Sequence, residues 1–228
     1  MKLDARLQAV LDFVPAEDCV ADIGTDHGYL AVALVTSGRA KHVIASDLNE
    51  GPCEAARRTI HENALCEAVT VRRGDGLKVL VPGEVTTVCL AGMGGQLMTS
   101  MFEAAPEVYA GLQTLVLQPM NGAYELRKYL YTHGFFLADE CLVVAEDKLY
   151  TVLCAKRGKR KLPEDILLMI GPVLWEKKPK LLRNHIESLL FLLRRVAAGM
   201  AKSEQAKKTE RYHNVQNRIR ELEARLKW

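Results

Sequence analysis

Three acidic residues, Asp22, Asp47 and Asp75, each end or follow a short apolar run of the kind that forms a buried strand. Ligands of an open α/β sheet bind at the carboxyl ends of its strands, so we expect the three carboxylates along one edge of one sheet. Asp47 is placed to accept the two hydroxyls of a ribose, and Asp75 to accept a hydrogen bond from an adenine amino group. Each could instead cap a helix, although Asn49 is available as the cap after Asp47. Together the three predict a site for an adenosine-containing cofactor.

Two glycine clusters occupy the same strand ends. The pattern Asp22-x-Gly24-x-x-x-Gly28 lets the backbone pass close to a ligand and enter a helix whose N-terminal amides favour an anion. That anion is the methionine carboxylate in a methyltransferase and a pyrophosphate in a dehydrogenase, but the spacing differs from the dehydrogenase pattern G-x-G-x-x-G. The second cluster, A-G-M-G-G at residues 91–95, lacks the Asn/Asp-Pro-Pro-aromatic clamp of amino methyltransferases, which disfavours methylation of an exocyclic amine.

The elements that must position these residues alternate along the chain. Apolar runs predict strands over residues 19–23, 42–46, 69–72, 85–90 and 114–117, and helical spacing predicts helices over 3–14, 29–36 and 50–65. Strands separated by helices form βαβ units and a parallel sheet. Two further runs, 135–144 and 149–155, are joined by a short polar turn and predict an antiparallel hairpin that closes the sheet. The predicted fold class is α/β, with a mostly parallel Rossmann-like sheet of the class I methyltransferase type.

Charge is distributed unevenly along the chain. Residues 1–155 hold 12 Lys and Arg against 20 Asp and Glu, whereas residues 156–228 hold 19 against 8. A basic, strandless linker, K-R-G-K-R-K at residues 156–161, predicts a boundary between domains 1–157 and 158–228. A basic appendage on an acidic body is typical of nucleic-acid binding, and the alternative is a solvated helical face. Beyond the linker, the arm residues we expect at phosphates are Lys177, Lys178, Arg194 and Arg195.

The C-terminal domain carries the apolar repeat of coiled-coil helices. Steps of four and three residues connect two sets, which are Leu182, Ile186, Leu189, Leu193, Val196 and Met200, and Tyr212, Val215, Ile219, Leu222 and Leu226. The polar stretch between them predicts two helices folded back as an antiparallel pair. Dimerisation through the same seam is the alternative, and we favour a monomer.

The composition argues against several classes of protein. Apolar residues make up 49% and charged residues 26% of the chain, as in an ordinary soluble globular protein. No apolar run reaches the roughly 18 residues of a membrane span, and the N-terminus has no apolar segment of a secretory signal. The six cysteines are far apart and form no C-x-x-C pair, which predicts no metal site and a reducing, cytoplasmic location.

Several strings in the first domain together resemble one known family. They are D-I-G-T-D-H-G-Y-L at residues 22–30, A-S-D at 45–47 with N-E-G-P at 49–52, G-D-G-L at 74–77, A-G-M-G-G at 91–95 and L-Q-P at 117–119. In combination they are similar to the bacterial TrmK-type enzymes, which are tRNA adenine-N1 methyltransferases that modify adenine 22. That family also carries a C-terminal coiled-coil arm. The resemblance implies S-adenosylmethionine as the cofactor and tRNA as the partner.

The resemblance also extends the set of expected site residues. The expected cofactor-binding residues are Asp22, Gly24, Thr25, His27, Gly28, Tyr29, Asp47, Leu48, Asp75, Gly76, Ala91, Gly92 and Met93. The expected tRNA-binding residues are Gly94, Gly95, Gln118, Pro119 and Asn121, together with Lys156, Arg157, Lys159, Arg160 and Lys161 of the linker.

Asp26 is the catalytic candidate. It occupies a loop position where other methyltransferases often have glycine, so a carboxylate there needs an explanation. We hypothesise that it accepts a proton or a hydrogen bond from the adenine N6 amino group as ring N1 is alkylated. The alternative is that Asp26 only caps the following helix. His27 is interpreted as a structural donor rather than a base.

Two functions from other classes stay open on the sequence alone. A small-molecule methyltransferase dimerised by its coiled coil would turn over without RNA. A non-catalytic RNA-binding module with a methyltransferase fold would bind tRNA without consuming the cofactor.

Overall fold

The computed structural model describes residues 3–227. The chain divides into two compact units between Leu162 and Pro163. The predicted domain ranges also include residues 1, 2 and 228, which lie outside the described residues. The first unit holds a sheet whose seven strands are β1 Glu17–Ile23, β2 Ala40–Asp47, β3 Val69–Arg73, β4 Thr87–Gly94, β5 Thr114–Asn121, β6 Phe135–Ala145 and β7 Lys148–Arg157. Its helices are α1 Ala5–Phe13, α2 Tyr29–Thr36, α3 Glu50–Glu62, α4 Gly95–Ala104, α5 Pro106–Gly111 and α6 Ala123–Thr132.

The sheet confirms the predicted fold class. Its strand order is β3-β2-β1-β4-β5-β7-β6, and β1 to β5 pair in parallel while β7 pairs antiparallel with both β5 and β6. The core strands are apolar and buried on both faces, as helices on either side require. The chain moves outward in one direction from β1 to β3 and in the other from β4 to β5, before β7 inserts between β5 and β6. The carboxyl ends of β1 and β4 therefore flank the topological switch point, where an open α/β sheet binds its ligand.

Two predicted element ends were wrong, one for a local reason and one because of strand pairing. The helix predicted over 50–65 ends at Glu62, because Ala64 adopts a left-handed conformation (φ +56°) and Leu65 N–H closes the turn on Ile60 O at 3.0 Å. The strand predicted over 85–90 continues to Gly94, because β5 also continues to Asn121 and supplies partners. The A-G-M-G-G cluster is thus mostly a strand end rather than a loop.

The predicted linker also differs from the structure. Lys156 and Arg157 are the last two residues of β7, not part of a strandless segment. Beyond them, the Arg160 guanidinium lies over the Phe136 ring of β6, 4.0 Å from its centroid. This contact joins the basic segment to the first unit, so the unit ends later than residue 157.

The second unit is helical. Its helices are α7 Asp165–Ile170, α8 Pro172–Lys177, α9 Leu182–Met200, α10 Glu204–Lys207 and α11 Glu210–Arg225. The long helices α9 and α11 run antiparallel, since Arg183 donates to Leu226 O at 3.2 Å and Arg194 pairs with Glu223 at 2.7 Å. The coiled-coil and monomer assignments stay predictions.

The buried face of α9 differs from the predicted seam. Leu182 and Ile186 are buried as expected, but the next buried residues are Leu190 and Ala197, while Val196 is exposed. Helix α7 also packs on α9, and the Nε2 atom of His185 in α9 lies 2.9 Å from the carbonyl oxygen of Ile170 in α7. A second neighbour widens the buried face beyond a single a/d seam.

Within residues 3–227, no helix combines the length and the apolar character that crossing a bilayer needs. The same stretch of chain offers no group of three or more His, Cys, Asp or Glu side chains that could hold a metal ion. All six cysteines are free thiols, three of them buried in the first unit.

Candidate functional site

A cleft of about 510 Å³ opens at the switch point between β1 and β4. This volume lies within the range of small-molecule sites, about 300–1,000 Å³. Its walls are Asp4, Arg6, Leu7, Asp22, Gly24, Thr25, Asp26, His27, Tyr29, Leu30, Asp47, Ala91, Gly92 and Met93. Ten of these 14 residues were predicted as site residues, so most of the lining was predicted from the sequence.

Asp22 organises the first turn from within. It is 3% exposed, and its carboxylate accepts hydrogen bonds from the Thr25 hydroxyl at 2.7 Å and from the backbone N–H of Ala31. Gly28, the N-cap of α2, has no side chain to cap the helix, so Asp22 takes that role from the strand. Burial raises the pKa of Asp22 to about 6, although both hydrogen bonds oppose the shift.

Gly24 forms the floor of the same turn. Its φ is +78°, and a Cβ there would collide with the terminal methyl group of Met93. The N–H groups of Gly24 and Thr25 both donate to Ser46 O of β2, at 2.7 and 2.9 Å. The turn is therefore bound to the end of the neighbouring strand, and its left-handed backbone favours glycine.

Asp26 stands exposed at the mouth of the cleft. Its backbone is left-handed (φ +50°), and its side chain is 72% exposed. Among the described residues, its polar contact is with His27, whose Nε2 lies 3.7 Å from Asp26 Oδ1. Helix α2 receives no side-chain cap from Asp26, so the capping alternative is wrong.

His27 and Tyr29 form an aromatic pair beside Asp26. Their rings stack with centroids 5.3 Å apart and an interplanar angle of 18°. His27 donates no hydrogen bond to the described residues, so its interpretation as a structural donor was wrong. Tyr29 is 42% exposed and lines the cleft rather than the core.

The two other predicted carboxylates differ from each other. Asp47 lines the cleft, and its Oδ1 accepts the N–H of Asn49 at 2.9 Å, which leaves Oδ2 facing no partner in the described chain. Asp75 lies outside the cleft walls, where Lys78 Nζ approaches its Oδ2 at 2.6 Å. Lys78 follows Asp75 by three residues in a short 3-10 helix, so a local ion pair occupies the carboxylate predicted for adenine.

Three other predicted cofactor residues also lie outside the cleft walls. Leu48 is 59% exposed on the far side of Asp47. Gly28 and Gly76 are buried and serve packing instead, since a Cβ on Gly28 would press on the Ala56 backbone of α3.

The side chain of Gln118 is fully occupied. It is 0% exposed, and its Oε1 accepts from Gly92 N at 3.1 Å and from Arg6 Nη1 at 2.9 Å, while its Nε2 donates to Pro119 O at 3.1 Å. Pro119 is buried as well. The prediction that these two side chains contact the substrate was wrong, because the core uses them.

Asn121 remains a candidate for substrate binding. It is exposed and lines a second hollow of about 460 Å³ with Gln96, Thr99, Gly122, Glu125 and Tyr129, at the ends of β4 and β5. Gly95, which begins α4, sits so close to Gly122 that a Cβ would strike its carbonyl. Gly94 and Gly95 thus bring the cleft and this hollow to adjacent turns.

The basic segment, residues 156–161, starts at the opposite edge of the sheet. Lys156 pairs with Thr114, the first residue of β5, whereas the cleft lies at the carboxyl ends. Arg157 is half-buried and donates to the carbonyls of Tyr109 and Leu112, so it has a structural role, and its assignment to RNA stays a prediction. The exposed cations are Lys156, Lys159, Arg160 and Lys161.

The four cations of the second unit that were predicted to bind phosphates differ in exposure and pairing. Arg195 is exposed, with its guanidinium 5.8 Å from the Phe191 ring centroid, and Lys177 is exposed. Arg194 is in an ion pair with Glu223, and Lys178 is half-buried against Trp175. From Pro163 onward the chain holds 14 Lys and Arg against 8 Asp and Glu, so the unit is basic even without the segment.

Four residues of the cleft walls were not predicted as site residues, which are Leu30 of α2 and, at the start of α1, Asp4, Arg6 and Leu7. Asp4 is the N-cap of this helix and accepts the N–H of Leu7 at 2.7 Å. Amphipathic spacing located the helix but not the strand end on which it packs. Another hollow of about 500 Å³ lies beside α3 and β3, but it has no glycine turn and lies away from the carboxyl ends of the strands.

Comparisons with known proteins relate the chain to methyltransferases. The family model described as a methyltransferase domain matches residues 3–153. The chain is 36% identical over 183 residues to the tRNA (adenine(22)-N(1))-methyltransferase of Bacillus subtilis, covering 78% of this chain and 77% of that protein.

Solved structures extend the similarity along the chain. The crystal structure of the B. subtilis M1A22 tRNA methyltransferase TrmK superposes with a TM-score of 0.89 at 29% identity, covering 99% of both chains. The Streptococcus pneumoniae protein Sp1610, solved in complex with S-adenosyl-L-methionine, superposes with a TM-score of 0.87 at 27% identity, covering 99% of this chain and 100% of that one.

Proposed function

The chain belongs to the tRNA (adenine(22)-N(1))-methyltransferases within the methyltransferase-domain family, and from this premise we propose that it transfers a methyl group from S-adenosylmethionine to N1 of adenine 22 in tRNA. One observation carries the proposal. The switch-point cleft brings together a left-handed glycine turn, a carboxylate oxygen that faces no partner in the described chain and an exposed carboxylate, which belong to Gly24, Asp47 and Asp26.

The cleft fits the cofactor in shape and chemistry. The free Oδ2 of Asp47 is an acceptor for a ribose hydroxyl, and the turn at Gly24 lets backbone approach the methionine end beneath Met93. When bound, the sulfonium supplies an electrophilic methyl group. The walls contain four aspartates and one arginine, which suits a ligand with a cationic centre.

The target atom follows from the end of β4. This strand end offers Ala91, Gly92 and Met93 to the cleft, with neither an aromatic clamp nor a side-chain amide to hold an exocyclic amine. Ring N1 of adenine has an in-plane lone pair and attacks an electrophilic methyl group without prior deprotonation. It needs positioning more than activation, and backbone groups of a bulged strand supply that.

Asp26 is the residue we assign to catalysis. Its carboxylate is exposed in the cleft and does not cap α2, so it is available to a substrate. As N1 forms its bond to carbon, positive charge spreads to the N6 amino group. A carboxylate that accepts a hydrogen bond from N6 stabilises this charge in the transition state.

Recognition of tRNA is assigned to the basic surfaces. An adenine inside folded RNA must be turned outward, at a cost of a few kcal/mol, before its N1 reaches a cleft. Phosphate contacts from Lys159, Arg160, Lys161 and the basic second unit offset that cost. The segment lies about 23 Å from the carboxyl edge, the length of eight-residue β5, so it contacts RNA remote from the target.

Nucleoside mapping tests the proposal. Unmodified tRNA is incubated with the protein and labelled S-adenosylmethionine, and the product is digested. We expect 1-methyladenosine from one position, and none when adenine 22 is replaced by another base. Labelled N6-methyladenosine, or methyl transfer without RNA, would contradict the assignment, and binding of tRNA with no transfer would indicate a non-catalytic module.

A further inference from the structure

The strand pairing of β4 contains an extra residue at the cleft. Ala91 pairs with Gln118 and Met93 pairs with Pro119, which leaves Gly92 between them as a β-bulge. Its φ is +79°, a conformation that glycine adopts at little cost. Bulges next to functional sites turn the following side chain toward a new direction. Here the following side chain is Met93, which lies over the Gly24 turn.

A hydrogen bond from a side chain stabilises this bulge, rather than backbone hydrogen bonds between the strands. Gly92 N–H donates to Gln118 Oε1 at 3.1 Å, and the Gln118 amide is kept in orientation by its bond from Nε2 to Pro119 O. Gln118 is fully buried, so water does not compete for it.

Arg6 completes the arrangement from α1. Its Nη1 donates to the same Gln118 Oε1 at 2.9 Å, and a Cβ on Gly92 would come within 3.2 Å of that nitrogen. The side chain is 23% exposed, and its partner Asp4 is 3.5 Å away, a weaker contact than the one to Gln118. The guanidinium also lies 5.9 Å from the Tyr150 ring centroid.

We propose that Arg6 is a positioning residue for methyl transfer, which acts through Gln118 to set the Gly92 bulge and hence the placement of Met93 over the Gly24 turn. The inference rests on the proposed function. Without the guanidinium, Gln118 Oε1 loses one of two donors in a buried setting, and only the bond from Nε2 to Pro119 O still orients the amide against Gly92. The bulge is then held less firmly, while the bond of Asp47 to Asn49 and the backbone position of Asp26 are unchanged.

Three variants measure this role, with a matched control. Arg6→Met and Gln118→Met remove the bond from either side at similar volume, and the double variant tests whether the two act together. Arg39→Met is the control, because Arg39 Nη1 donates to Val14 O at 2.8 Å and so ties the other end of α1 outside the cleft. For each protein, kcat, KM for tRNA, calorimetric affinity for S-adenosylhomocysteine and Tm are measured.

The expected result is a loss confined to the chemical step. Arg6→Met and Gln118→Met should each lower kcat by at least about tenfold, and the double variant should be no worse than the poorer single one. KM and the affinity for S-adenosylhomocysteine should stay within about threefold of the wild type. Arg39→Met should lower Tm and leave kcat unchanged.

Several outcomes would overturn the inference. Multiplying losses in the double variant would mean that Arg6 acts independently of Gln118. A loss mainly in affinity for S-adenosylhomocysteine, restored by Arg6→Lys, would make Arg6 a direct partner of the ligand's carboxylate. Unchanged kcat in a folded Arg6→Met variant would mean that Arg6 has no role in methyl transfer. A wild-type protein that makes no 1-methyladenosine would instead defeat the proposed function.

Discussion

The two edges of the sheet in the first unit use charge in different ways. At the carboxyl edge, Asp22 and Gln118 are buried and held by short hydrogen bonds, and the exposed Asp26 stands at a fixed backbone position. At the amino edge, the basic segment ends in exposed Lys159 and Lys161, which are free of such constraints. Chemistry at one atom requires positions fixed to within about 0.5 Å, whereas attraction of a phosphate backbone requires mainly local charge density.

This contrast predicts how each edge responds to substitution. Single changes at the carboxyl edge should produce large and specific losses, because each group has one place and one partner. Changes at the amino edge should produce small, additive losses that depend on salt. The following experiments test the contrast from the largest expected effect to the smallest.

Asp26→Asn should have the largest effect. Removing the charge should lower kcat by about 10²–10⁴-fold, the usual contribution of a group that assists proton movement. Asparagine tolerates the left-handed conformation of this position, so Tm should not fall. Single-turnover methylation and calorimetry with S-adenosylhomocysteine separate the two properties, and Asp12→Asn, an exposed change on α1, is the control. Near-wild-type turnover would end the assignment.

Asp22 should make the folded state pH-dependent. Burial raises its folded pKa to about 6, above the ordinary aspartate value of 3.8, so the folded state holds this proton more tightly than the unfolded state. Stability from this group is therefore present at low pH and is lost as pH rises from about 4 to about 6, by about 3 kcal/mol. Urea unfolding of the wild type and of Asp22→Asn measures it as the difference between the two curves. Parallel curves across that range would refute the shift.

Gly24→Ala should weaken cofactor binding. A Cβ strains this left-handed turn, which carries the backbone that approaches the methionine end of the ligand, so affinity for S-adenosylhomocysteine should fall by about tenfold or more. Gly38→Ala is a matched control, because Gly38 has a similar φ of +72° with no atom within 4 Å of the new Cβ. Both variants should lose about 1–2 kcal/mol of stability from backbone strain. Equal affinities in the two variants would contradict the steric account.

Lys159→Gln combined with Lys161→Gln should have the smallest effect. We expect KM for tRNA to rise about threefold to tenfold, with a shallower salt dependence by about two counterions and an unchanged kcat. Lys41→Gln is the control, since that lysine is already paired with Asp18 at 2.7 Å. A fall in kcat, or no change in KM, would remove the distinction between the two edges.

The strand ends were predictable because their signals are local. An apolar run followed by glycine and a carboxylate gives both the strand and its carboxyl end, and this located Gly24, Asp26 and Asp47 without tertiary information. The local pair of Asp75 with Lys78, three residues apart, was also visible in the sequence. The pair is solvent-exposed, so the assignment of Asp75 to adenine stays a prediction.

The remaining features depend on contacts between distant segments. Arg6 is hydrogen-bonded to Gln118, which lies 112 residues away in the sequence, and no pattern near either residue predicts the contact. The extension of β4 to Gly94 requires a partner from β5, and Arg157 is buried by carbonyls of α5 and the residue after it. In α9, a second neighbouring helix decides which apolar residues are buried. Tertiary packing fixed each of these outcomes.

Calorimetric titration of S-adenosylhomocysteine tests the central claim most directly, since every step depends on an adenosyl ligand held at the carboxyl edge. We predict one site per chain in the wild type. In Asp47→Asn, loss of the acceptor for ribose should weaken affinity by about 10–100-fold. No binding to the folded wild type, or equal affinity in Asp47→Asn, would contradict the account.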